Sequence, residues 1–298
     1  MILVFGGNGQ LGQELARAAS TRAVTLVALS RTEADIADAA AVRDAIARRR
    51  PSLVANAASY TKVDLAEKEI EAARLGNEVG PAVLAAACES AGVPLVHIST
   101  DYVFDGAKPS AYVEDDPIAP INSYGASKAG GERAVREATA RHLILRSSWI
   151  YGEFGSNFLK TMLNLAATRD ELRVVADQRG CPTSTPDLAN AILTIAPRLA
   201  VENLWGTYHF AGDGVTTWHG FATRIVAAQA PLTGRSPRVT AITTAEFPTP
   251  ARRPANSELD CSRFARTFGF RGRPWFEETD AIARTLVRAK LGTHPHVA

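Results

Sequence analysis

The chain has 298 residues, of which 46% are hydrophobic and 21% charged, with a formal net charge of +2. Such a composition buries a sizeable core, and a near-neutral charge without a long basic run speaks against nucleic acid or an anionic membrane as the main partner. Cys88, Cys181 and Cys261 are odd in number and far apart, so neither a disulfide framework nor a zinc site is indicated; no apolar run reaches the ~18 residues of a membrane span and no signal peptide is legible, so the expected location is cytoplasmic.

The first predicted element is a short buried strand over residues 2–5. It runs into Gly6-Gly7-Asn8-Gly9-Gln10-Leu11-Gly12 and then a helix over 13–19. Gly6, Gly9 and Gly12 fit G-x-x-G-x-x-G: missing side chains allow a tight turn and close approach of backbone to a pyrophosphate, and the helix N-terminus offers amides and a positive dipole end. Asn8, Gln10 and Leu11 share that turn and are candidate cofactor contacts. A second strand, 24–29, follows at the spacing of a βαβ unit and ends in Ser30-Arg31, with no carboxylate at its end. A guanidinium beside a hydroxyl suits a ribose 2′-phosphate, so NADPH is favoured, with NADH the alternative. Asp35 and Ile36 either flank the adenine or cap a helix starting near Ala37; the sequence leaves both readings open.

Further strands are predicted over 53–58, 94–99 and 142–147, separated by a helix ending near Arg50, a long Ala-rich helix over 77–91, and a helix carrying Tyr124 and Lys128. Thr100 directly follows the 94–99 strand. A tyrosine four residues ahead of a lysine shares its helix face, and a nearby ammonium would draw the phenol pKa down from ~10 toward the working range of a proton donor. The alternation predicts an α/β fold: a Rossmann-type doubly wound parallel sheet over 1–150, with segments near 184–212 returning to it. The Pro-, Arg- and aromatic-rich remainder, 151–298, reads mainly as a smaller C-terminal α/β substrate domain.

Taken together, the Gly6 to Gly12 loop, Asn56-Ala-Ala58, Ser99-Thr-Asp-Tyr-Val-Phe-Asp-Gly106, Tyr124-Gly-Ala-Ser-Lys128 and Arg146-Ser-Ser-Trp-Ile-Tyr-Gly152 resemble the extended short-chain dehydrogenase/reductases. Within them, the block from Asn56 to Glu67, Asp177-Gln-Arg-Gly-Cys-Pro-Thr183 and Arg252-Arg-Pro-Ala-Asn-Ser257 resemble the dTDP-4-dehydrorhamnose reductases. The resemblance implies NADPH-dependent reduction of the 4-keto group of a dTDP-linked deoxysugar, with Tyr124 as proton donor, Lys128 on the nicotinamide ribose and Thr100 polarising the ketone. It implies that Asn56, Ala57, Ala58 and Tyr60 belong to the cofactor site with Tyr124 and Lys128. Thr100, Asp101, Tyr102, Trp149, Asn157, Phe158, Arg252 and Arg253 are then the substrate-site candidates. A homodimer with magnesium at its contact is a further implication, for which Glu14 and Asp187 are the only ligands that suggest themselves; the chemistry itself needs no metal. Two rivals are a reductase of another nucleotide-linked 4-ketosugar, and a non-catalytic regulatory subunit on the same fold, which would have no use for the Thr100, Tyr124 and Lys128 set.

Overall fold

The computed structural model describes residues 1–199 and 201–292. Five apolar runs form β1 (Ile2–Phe5), β2 (Leu26–Leu29), β3 (Leu53–Asn56), β4 (Leu95–Thr100) and β5 (His142–Ser147), and a sixth, β6 (Gly206–His209), joins them. All pair in parallel, in the order β6-β5-β4-β3-β1-β2. Helices cover both faces, which is why successive strand residues are apolar on both sides. Ile2, Val4, Leu53, Ala55, Val96, Leu143 and Leu145 pack under α1 (Gln10–Thr21) and a helix from much later in the chain, Thr185–Leu199. Leu3, Phe5, Val54, Leu95 and Ile144 pack on the other face, against α2 (Ala39–Arg49), α3 (Gly80–Ala91) and Val135 of α4 (Ser123–Ala138).

A second, smaller layer has its own core. Leu159, Met162 and Leu163 of the helix Phe158–Ala166 meet Phe221 and Ile225 of Trp218–Thr233, Ile282 and Val287 of Trp275–Gly292, and Leu172 and Val174 of the strand Glu171–Val175. That strand pairs in parallel with Arg238–Ile242.

The chain steps from β1 out to β2 and returns to β3 on the opposite side of β1. At such a reversal the connections leave in opposite directions, and a crevice opens beyond the carboxyl ends of the strands. Three local departures from the sequence reading shape it. Helix α1 starts at Gln10, because extended Gly9 serves as its N-cap, so Gly12 lies inside the first turn. The α2 cap is Asp38, whose carboxylate accepts from the amides of Ala40 and Ala41, rather than Asp35. Ahead of α3, residues Leu75–Val79 form a turn of π-helix, a wider winding that is frequent at functional sites.

Candidate active site

A cleft of about 1810 Å³ runs from the glycine turn after β1 to the second layer. Gly6 has φ +90°, and a Cβ there would stand 2.5 Å from the Ala58 amide, so the turns after β1 and β3 approach closely only because this residue is glycine. Gly6, Asn8, Gly9, Gln10 and Leu11 line the cleft beneath the α1 N-terminus. Gly12 does not; its place is structural, since a Cβ would fall 2.2 Å from the Gly6 carbonyl oxygen. Ala57, Ala58 and Tyr60 also line the cleft, whereas Asn56 is buried behind it, its side chain joined to His97 Nδ1 and to the Ala58 amide.

At the end of β2 the structure differs from the sequence expectation. A carboxylate does reach it: Ser30 donates its amide (2.8 Å) and its hydroxyl (2.7 Å) to Glu33 Oε2, which holds the Glu33 carboxyl below its usual range. Ser30 is thereby buried and outside the cleft lining. Arg31, Asp35 and Ile36 line the cleft, with the exposed Arg31 side chain donating to Asp35 Oδ2 at 2.8 Å. Glu33 comes to the strand end through a turn, which the periodicity of the sequence does not report.

Thr100 ends β4 and caps the short turn Asp101–Val103; its hydroxyl accepts from the Tyr102 amide at 3.2 Å and lies 2.8 Å from Asp101 Oδ1. Across from it, α4 begins with Asn122 as N-cap and carries Tyr124 and Lys128 on the cleft side. Gly125 lets the helix start abut the Tyr102 carbonyl, where a Cβ would come within 2.2 Å. The Tyr102 and Tyr124 rings meet edge to face at 5.8 Å. Thr100, Tyr124 and Lys128 thus converge on one stretch of cleft wall.

The electrostatics correct one expectation. Lys128 is buried and donates to the Ile98 carbonyl at 2.6 Å, and burial pulls its pKa down to about 8 against the pull of Glu132. It does not lower the Tyr124 phenol. Burial, and then the Asp101 charge, push that pKa up to about 12, with the Thr100 hydroxyl acting the other way. Desolvation on a covered wall sets the direction, and the Lys128 ammonium is engaged on β4.

Two positions that the sequence reading did not single out support this wall. Asn77 of the π turn accepts from the Ser59 hydroxyl and the Tyr60 amide and donates to the Tyr60 carbonyl and Ser127 Oγ, filling all four of its hydrogen-bonding positions. Ser127 passes this on to the Tyr124 carbonyl, so the loop after β3 is tied to α4. Glu132, one turn beyond Lys128, accepts from Ser99 and from Arg146. A polar residue on the inward face of each helix was the available signal.

Further along, Trp149 sits at φ +47° and stacks on Trp218 with ring centroids 3.6 Å apart. Gly180 makes room for it, since a Cβ there would meet the indole at 2.6 Å. Phe158 tilts against Trp218 at 4.6 Å, and Asn157 caps the following helix while donating to Gln10 Oε1. Trp149, Asn157, Phe158, Asp101, Tyr102 and Arg253 all line the cleft. Arg253 makes a two-point pair with Asp64. Arg252 lies elsewhere: it is exposed, contributes no lining, and offers its carbonyl to Asn122. Glu14 and Asp187 are each paired with an arginine, Arg17 and Arg273. Among the described residues of the single chain no group of three acidic, histidine or cysteine residues could hold a metal ion.

The family described as RmlD substrate binding domain matches residues 1–288. A dTDP-4-dehydrorhamnose reductase of Sinorhizobium fredii is 45% identical over 289 residues, 96% of this chain and 97% of the relative. Among solved structures, a dTDP-4-dehydrorhamnose reductase from Clostridium acetobutylicum superposes with a TM-score of 0.89 at 39% identity, covering 96% of this chain and 99% of its own. One from Bacillus anthracis, solved in complex with NADP, has a TM-score of 0.87 at 37% identity over 95% and 98% of the two chains.

Proposed function

The chain belongs to the dTDP-4-dehydrorhamnose reductase family, and from that membership and the cleft we infer that it reduces the 4-keto group of dTDP-4-dehydro-L-rhamnose to dTDP-L-rhamnose with NADPH, for polysaccharide biosynthesis. The observation that carries the reading is the convergence of Thr100, Tyr124 and Lys128 on the cleft that the glycine turn opens. Free cysteines at Cys88, Cys181 and Cys261 suit a reducing, cytoplasmic compartment.

The glycine turn and the α1 N-terminus fit a dinucleotide pyrophosphate, with Arg31 at the adenosine end. Bound NADPH would supply the hydride. As the carbonyl oxygen gains charge, Thr100 is the hydroxyl placed to donate to it, and Tyr124 the acid placed to protonate it. A phenol with its pKa at about 12 stays protonated at neutral pH, the form a donor needs. Lys128 remains a cation below about pH 8 and is assigned to the nicotinamide ribose. Arg253 suits the substrate diphosphate, and the Trp149, Trp218 and Phe158 surface suits the sugar.

The test is NADPH oxidation with a panel of dTDP- and UDP-linked 4-ketosugars, with product identification. The expected product is dTDP-L-rhamnose, and dTDP-4-dehydro-L-rhamnose should be the preferred substrate. No turnover of that sugar, or clear preference for another, would contradict the reading.

A further inference from the structure

Asp101 is an odd residue to bury beside a ketone-binding hydroxyl. It is 3% exposed, its Oδ1 lies 2.8 Å from Thr100 Oγ1, and its Oδ2 is buried without a hydrogen-bond partner. An ionised carboxylate with an unsatisfied buried oxygen is costly, whereas a neutral carboxylic acid asks for much less. The O···O distance to Thr100 suits a hydrogen on either oxygen.

A hydroxyl has one hydrogen to give and two lone pairs to receive. Thr100 already receives from the Tyr102 amide. If Asp101 is ionised, the Thr100 hydrogen is drawn to Oδ1, and only a lone pair is left for the cleft. That lone pair repels a carbonyl oxygen. If Asp101 is protonated, its own hydrogen fills the second lone pair of Thr100 and the Thr100 hydrogen is released toward the cleft. We propose that Asp101 acts as a neutral acid and a positioning residue, whose proton turns the Thr100 hydroxyl into a donor toward the substrate ketone. The proton stays on Asp101 throughout, so no bond beyond those of the reduction is made or broken. The proposal rests on the reductase reading above.

The surroundings shift Asp101 toward the neutral form relative to a carboxyl in water. The groups facing Asp101 are Tyr102 on its own turn, Tyr124 on α4, the Ser257 hydroxyl on the strand Asn256–Ser257 and the Cys181 thiol after Arg179–Gly180. None is a cation. Burial lifts its pKa to about 6, against the pull of Ser257, Thr100 and the local amides, and Ser257 completes no hydrogen bond to Oδ2. A diphosphate ligand that excludes water from the cleft would push it higher.

The experiment is single-turnover NADPH oxidation at saturating dTDP-4-dehydro-L-rhamnose, over about pH 5 to 9, for wild type, Asp101→Asn and Asp101→Ala, alone and in a Thr100→Val background. An asparagine amide can keep donating to Thr100 at any pH; alanine cannot. The ratio of the Asn variant's rate to the wild-type rate should therefore rise with pH, approaching about tenfold per unit above the Asp101 midpoint. Asn should outpace Ala throughout, and with Thr100→Val the Asn and Ala effects should vanish. A ratio that stays flat with pH, equal rates for Asn and Ala, or effects that persist without the Thr100 hydroxyl would each overturn the proposal. Absence of wild-type turnover would instead overturn the reductase reading itself.

Discussion

Lys128 and Arg31 carry the charge expected to face the cofactor, and they sit in opposite surroundings. Lys128 is buried and loses its ammonium charge as pH rises through about 8. Wild-type affinity for NADPH should accordingly fall above that point, while Lys128→Met should bind weakly at all pH values and also lose turnover. Cofactor titrations across pH decide this, and a wild-type affinity constant to about pH 10 would count against it. Arg31 is exposed and tied to Asp35, and it follows Ser30, which binds the Glu33 carboxylate that the sequence reading did not place at the strand end. Arg31→Ala should weaken NADPH by about tenfold and leave NADH nearly unchanged; equal losses for both would refute the selectivity argument. The tyrosine-lysine pair was legible because four-residue spacing on a helix fixes a shared face. What each side chain touches was not: the Ile98 carbonyl on Lys128, the turn that returns Glu33 and the unpaired Asp101 oxygen all depend on segments distant in sequence or on local turns without periodicity.

Helix α4 and the glycine turn hold these residues in place. On α4, Glu132 is fully buried; burial would raise its pKa, yet hydrogen bonds and charge from Arg146, with Ser99 and Arg136, hold it down at about 2. A lowered carboxyl contributes stability that is present above its ordinary value of 4.5 and is lost as pH falls toward about 2. Glu132→Ala would strand the buried Arg146 guanidinium and should cost about 3–5 kcal/mol in urea unfolding, with a flatter acid limb. A loss under about 1 kcal/mol would mean that the pair does not anchor the helix. In the glycine turn, the second and third glycines differ. A Cβ at Gly9 would meet the Gly6 carbonyl at 3.2 Å, a contact small shifts can relieve, whereas one at Gly12 would meet it at 2.2 Å. Gly9→Val should fold and lose NADPH, because its side chain occupies pyrophosphate volume. Unchanged affinity in the folded variant would remove the turn from the cofactor site. The G-x-x-G-x-x-G spacing made this loop readable, but the helix start inside it and the π turn before α3 were not, since neither alters the apolar period.

At the scale of the whole molecule, a parallel sheet supplies the cofactor end of the cleft and a second core the far end. The sheet was readable from apolar runs alternating with helices, because burial on both faces leaves a strong compositional mark. The second layer was legible mainly as a change of rhythm. Strands of two residues such as Arg179–Gly180, Thr216–Thr217 and Asn256–Ser257 pair with one another across long stretches of sequence, and runs that short show no period. Tyr124 lines the cleft, and the proposed chemistry depends on its hydroxyl hydrogen. Tyr124→Phe removes that hydrogen and little else, so steady-state kinetics on dTDP-4-dehydro-L-rhamnose, paired with NADPH titration, should show unchanged cofactor affinity and kcat reduced by about 100-fold or more. A folded Tyr124→Phe protein with near-normal kcat would contradict the account.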